Sequence, residues 1–101
     1  MSESLNNKQI SKLKGLAQRM DTQLKIGKGG LNESLLKSVD DLLAHHELIK
    51  VKFDADEMKE RRKELAPSLA EKTSSQLITL IGNVVVLYRQ NPDPKLRKVA
   101  V

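Results

Sequence analysis

The sequence predicts an α/β fold in the order α-β-α-β-α-β-β, with a mixed four-stranded sheet packed by helices, and three observations lead there. Apolar residues recur at helical spacing over residues 6–20 and again over 35–43. The stretch Leu48–Phe53 alternates Ile49, Val51 and Phe53 with Lys50 and Lys52, the pattern of a strand with one buried and one wet face. The β-branched runs 76–81 and 84–89 flank Gly82 and Asn83, a two-residue hairpin with glycine where φ must be positive.

Taken in order, the first helix carries the stripe Ile10, Leu13, Leu16, Ala17 and Met20, with Lys8, Lys12, Gly15 and Arg19 aligned on the opposite side. Its back is therefore cationic. Gly15 costs roughly 0.5–1 kcal/mol relative to alanine in a helix interior; close approach of another backbone and a tolerated surface glycine both account for it. Residues 23–26 are long enough only for a short strand, which ends at Gly27. Asn32 is a good N-cap for a second helix with the stripe Leu35, Leu36, Val39, Leu42 and Leu43, and Leu31 with Leu36 is placed as a hydrophobic staple. After the strand 48–53, residues 57–72 read as a third helix burying Met58, Leu65 and Leu69, with the stem of Arg62 over the core edge and Glu57 set to pair with Arg61. Pro67 predicts a kink, or a fresh start with Pro67 as the first helical residue. Val84 to Leu87 is apolar on both faces, which predicts an interior strand. Two β-α-β units imply right-handed crossovers and parallel pairing, and the hairpin adds an antiparallel pair.

With 101 residues the chain suffices for one core, assigned to residues 1–90. Residues 91–101, with Pro92, Pro94, Lys95, Arg97 and Lys98, are predicted to be a basic flexible tail. The net charge of +5 is unevenly placed: residues 1–30 carry +4, 31–76 carry −2 and 77–101 carry +3. If folding joins the two ends, they form one basic field suited to a polyanion, although a solvated basic surface explains the same count. The chain has no cysteine, no apolar leader after Met1 and no run able to span a bilayer, so the expectation is a cytoplasmic protein without membrane contact.

Catalysis requires convergent groups in a cleft. Here the only histidines are the neighbours His45 and His46, and the acids are scattered along helix faces. His46 falls on the apolar stripe of the second helix near its C-terminus, where the helix dipole favours it; His45 with Asp41 supplies two potential metal ligands, too few for a site. No catalytic residue, metal, cofactor or small-molecule substrate is expected. The stretch Gly27, Lys28, Gly29, Gly30 is more informative, because it joins a strand to a helix N-terminus, where N–H groups, the positive end of the dipole and a lysine coincide. It is not a P-loop, which would need Gly-x-x-x-x-Gly-Lys-Ser/Thr, nor a dinucleotide fingerprint, which would need glycine or alanine at Asn32. A purely structural turn also explains Gly-x-x-Gly. With one Phe, one Tyr and no Trp there is no base-stacking platform, so a nucleic-acid partner would be held by phosphates, backbone and shape.

Three blocks carry a family resemblance: 26–31 (Ile-Gly-Lys-Gly-Gly-Leu), 46–52 (His-Glu-Leu-Ile-Lys-Val-Lys), and Ile81-Gly82 followed by 86–89 (Val-Leu-Tyr-Arg). With Leu13 to Ala17 before them, they resemble the CRM domain, the chloroplast RNA splicing and ribosome maturation module, over roughly residues 5–90. A chain with one such domain is similar to the bacterial stand-alone YhbY-like proteins. The resemblance implies a fold akin to the C-terminal domain of translation initiation factor three. It also implies RNA binding through Gly27, Lys28, Gly29 and Gly30 with neighbouring basic surface, and association with precursors of the large ribosomal subunit and their ribosomal RNA. Lys8, Lys12, Arg19 and Lys25 are the expected phosphate contacts. The alternative reading is a protein-interaction adaptor on the ribosome or another ribonucleoprotein, using the second and third helices. Pro67 and the proline-containing tail are not part of the pattern.

Overall fold

A computed structural model describes residues 5–97 and 99. Helix α1 (Asn7–Gln18) starts at Asn6, whose side chain accepts from the Gln9 N–H while the Gln9 side chain accepts from the Asn6 N–H, at 2.8 and 3.0 Å. This reciprocal box satisfies two of the helix's orphan donors. Then follow β1 (Leu24–Ile26), α2 (Glu33–His46), β2 (Leu48–Phe53), α3 (Asp56–Glu60), α4 (Arg62–Lys72), β3 (Gln76–Ile81), β4 (Val84–Tyr88) and a 3-10 turn over Pro94–Leu96.

The sheet order is β1-β2-β4-β3. β1 and β2 are parallel, while β4 is antiparallel to both β2 and β3. The doubly apolar strand β4 is interior, as its composition predicts. That position corrects one expectation: β2 and β3 do not pair, because β4 folds back between them, and the only parallel pair is β1 with β2.

The sheet separates two apolar layers. Ile26, Ile49, Val51, Phe53, Val85 and Leu87 face α2, α3 and α4, meeting Val39, Leu43, Met58, Leu65 and Leu69. On the other side Leu48, Val86, Tyr88 and the bulged Ile78 meet Leu13 and Ala17 of α1. Leu16, expected on the buried stripe of α1, is 38% exposed, because it lies beyond the arc that Leu13 and Ala17 turn to the sheet.

The third helix is not continuous. It breaks at Arg61, whose carbonyl accepts from the Glu64 and Leu65 N–H groups at 3.0 and 2.8 Å and so begins α4. Pro67 therefore neither starts a helix nor splits one; it sits exposed inside α4. The break lets α3 and α4 set Met58 and Leu65 separately against the core. It also alters the pairing, since Arg61 reaches Glu64 at 3.2 Å and not Glu57.

A buried carboxylate closes the domain. Glu47 joins α2 to β2 at φ +63° and is fully buried. Its oxygens accept from the N–H groups of Asn91 at 2.6 Å and Val99 at 2.9 Å. The start of the segment assigned to the basic tail is thus folded back, and Val99 packs with Leu5, Ile10 and Met20 beside α1. Leu5, Ile10 and Met20 from the first basic segment and Val99 from the last thus share one apolar cluster. Lys98, expected among the tail cations, lies outside the described residues.

Beside Glu47, the Tyr88 phenol is pushed above its usual pKa of 10.0, chiefly by burial and also by the Glu47 charge, against opposing effects of Arg97 and Gln90. Because the folded-state value is the higher one, the stability contributed by the neutral phenol is complete below about pH 10 and is lost as pH rises from there through the higher folded-state value. An alkaline titration followed by phenolate absorbance should give a midpoint above 10.0 in the native protein; a midpoint at or below it would contradict this burial.

Candidate nucleic-acid interface

The glycine loop is held at both ends. The carbonyl of the buried Ile26 accepts from the Asp54 and Ala55 N–H groups at 2.9 and 3.4 Å, tying the end of β1 to the start of α3. The Gly30 N–H donates to the Gly27 carbonyl at 3.0 Å, closing a turn with Lys28 and Gly29 at its exposed tip. Asn32 then caps α2 by accepting from the Leu35 N–H at 2.8 Å. The N–H groups of Glu33 and Ser34 have no acceptor within the helix by its geometry.

The glycines divide by physical role. Gly30 takes φ +61°, and a Cβ there would lie 3.2 Å from Met58 Sδ. A Cβ on Gly29 would lie 2.5 Å from the Asn32 amide, displacing the cap. Gly30 is thus required by its backbone conformation, and Gly29 by the room it leaves for the cap. Gly27 is different, with negative φ and open space where its Cβ would be. Gly15 on α1 also faces open space, so no part of the described chain accounts for either glycine.

Lys8, Lys12, Arg19, Lys25 and Lys28 are all exposed. Leu24 and Ile26 belong to the helix-side layer, so Lys25 points to the opposite side of the sheet, where α1 lies. From Lys8 to Arg19 the outer face of α1 runs about 17 Å at 1.5 Å per residue. The structure therefore sets Lys25 two residues before the loop on the side of the sheet that bears α1, and the α1 cations on the outer face of that helix.

The cations of this face carry no ion pair among the described residues. Among the described residues, the ion pairs are Lys59–Asp56, Arg61–Glu64 and Arg89–Asp40. None involves the loop, β1 or α1. On the far side of the loop, Asp54, Asp56 and Glu57 make the start of α3 acidic, so a polyanion is favoured from the β1 and α1 side.

Sequence reading assigned Lys50 to a wet strand face, whereas its ammonium donates to the Ala17 and Met20 carbonyls, each at 3.2 Å, and neutralises the C-terminal end of α1. Lys52, on the same face, has no such partner. Glu47 appears in the sequence only as a member of the block 46–52, and the signal for its role is a helix-to-strand junction that lacks a C-terminal glycine. His46 is exposed, not part of the buried stripe, because α2 ends there; it lines a surface groove of roughly 370 Å³ with Lys12, Leu16, Met20 and Val99. The His45 ring meets the Asp41 carbonyl at 2.7 Å. No group of three potential metal ligands converges among the described residues, and none of the described helices is long and apolar enough to cross a membrane.

Comparison with known proteins adds a decisive observation: the model of the CRS1/YhbY (CRM) domain matches residues 5–89. The chain belongs to the CRM family. A Haemophilus influenzae relative named "RNA-binding protein" is 34% identical over 94 residues, covering 93% of this chain and 94% of its own. "Probable RNA-binding protein YqeI" of Bacillus subtilis is 33% identical over 91 residues, covering 90% and 94%. The solution structure of SAV1595 from Staphylococcus aureus superposes with a TM-score of 0.76 at 39% identity, over 96% of this CRM chain and all of that one. The family match ends at Arg89, whose guanidinium ties the core together by donating to Asp40 Oδ1 at 2.6 Å and the Thr73 carbonyl at 2.8 Å. This block of the CRM pattern has a structural job.

Proposed function

We propose that this CRM protein binds RNA without catalysing a reaction, and that its target is ribosomal RNA in precursors of the large ribosomal subunit, where it acts as an assembly factor. The observation that carries RNA binding is the set of exposed cations on the loop, β1 and α1, which have no carboxylate partner among the described residues. The names of the relatives support the same reading. Gly27, Lys28, Gly29 and Gly30 contact the RNA backbone, and Lys8, Lys12, Arg19 and Lys25 hold phosphates. Both aromatic side chains are buried, so bases are not stacked and sequence preference is modest.

If about four to six phosphates are neutralised, the logarithm of affinity plotted against that of salt should slope roughly −3 to −5. Filter binding to a large-subunit ribosomal RNA transcript at several salt concentrations measures this. A flat response would sink RNA binding as a charge-driven function. Crosslinking in cells followed by sequencing of the attached RNA tests the ribosomal target, and cosedimentation that survives RNase treatment would favour a protein-interaction adaptor instead.

A further inference from the structure

Among the described residues, α1 covers one end of the sheet side that bears it. α1 packs on Leu48, Ile78, Val86 and Tyr88, near one end. Toward the other end, where the glycine loop and the Gly82-Asn83 turn lie, the strand registers set Lys25 opposite Lys52, Lys52 opposite Val84, and Val84 opposite Ile81. Residues in register share a face, so these four make one row across all four strands.

Two features of this row call for a ligand. Lysines placed directly opposite on neighbouring strands repel, and among the described residues neither has a carboxylate within ion-pair distance. Lys50, on the same side of β2, is engaged by the α1 carbonyls, so the repulsion is not relieved by a shared acceptor. The far end of the row is Ile81, 67% exposed. A charged pair grading into an open apolar side chain matches a phosphate followed by a ribose or base, and the row begins two residues before Gly27.

We propose that Lys25 and Lys52 form a phosphate track that continues the glycine-loop site across the sheet, with Lys52 an RNA contact and Ile81 touching the adjoining nucleotide. This inference rests on the RNA-binding reading above. Strands are about 4.8 Å apart, so the two ammonium groups can clasp one phosphate or hold successive ones. The track places the RNA strand across β1 and β2, beside α1.

The test is Lys52→Gln, the double variant Lys25→Gln/Lys52→Gln, and the control Lys63→Gln on exposed α4, each bound to the large-subunit ribosomal RNA transcript over a range of salt, with thermal melts as the check on folding. Losing one phosphate contact should make the salt slope shallower by about 1 and weaken binding roughly 3–10-fold, with about twice the slope change in the double variant. Lys63→Gln should match wild type. Wild-type slope and affinity in Lys52→Gln, in a background where Lys28→Glu weakens binding, would overturn the track alone. Absence of wild-type binding would overturn the RNA reading itself and the track with it.

Discussion

Replacing Glu47 with alanine is expected to destabilise the protein by about 2–4 kcal/mol, which for a domain of this size lowers the melting temperature by roughly 10–25 °C. Glu47 is a fully buried carboxylate, and each oxygen receives a backbone N–H from the C-terminal segment, Asn91 at 2.6 Å and Val99 at 2.9 Å. Bonds to an ionised acceptor are worth about 1.5–3 kcal/mol each, and the cost of burying the charge offsets part of that. Removing the carboxylate leaves both donors to recover water only by lifting the segment from α1. The main chain at Glu47 is also tied in, its N–H to the Leu43 carbonyl at 2.9 Å and its carbonyl to the Arg89 N–H at 2.8 Å, so the positive-φ junction should persist. Glu47→Gln, which keeps the shape but offers one acceptor oxygen, should fall between wild type and alanine. Thermal melts measure the series, and hydrogen exchange at Asn91 and Val99 should rise first. A Glu47→Ala melting point within a few degrees of wild type would contradict the clamp.

The glycine loop should separate folding from binding. Lys28→Glu reverses the charge at an exposed turn tip, so RNA affinity should fall by at least about tenfold, near 1.4 kcal/mol, with the melting temperature nearly unchanged. Gly27→Ala should behave likewise, because the added methyl meets nothing in the protein and φ is already negative, yet it stands where an RNA backbone would approach. Gly30→Ala is the opposite case. Its φ of +61° and the 3.2 Å approach to Met58 Sδ should cost about 1–2 kcal/mol of stability. Melting curves and salt-controlled binding on the same three variants check this. If Lys28→Glu unfolds the protein, or binds as tightly as wild type, the loop is a structural turn.

Much of this was legible in the chain because the signals are local. Asn32 marks a helix start by a short-range hydrogen bond, alternation marks β2, and Gly82 marks a turn that needs positive φ. The loop was legible too, since glycines between a strand and a capped helix leave donors exposed whatever the rest of the fold does. The misreadings concern longer range. Leu16 and His46 both fit a periodic stripe, but periodicity does not say how wide an arc the sheet covers. Lys50 and Lys52 have the same sequence pattern, and only the place where α1 ends makes one a helix cap and leaves the other open.

By itself the sequence determined the fold class, the element order apart from the break at Arg61, the N-cap Asn32, and the loop with its lysine, because each is set by dihedral preference, side-chain period or a bond spanning a few residues. Tertiary structure decided that β4 lies between β2 and β3, that Glu47 holds the segment after β4, and that Lys25 and Lys52 stand side by side in register. These depend on which surfaces meet across 27 to 52 residues of chain, and such choices are made by burial of the whole core.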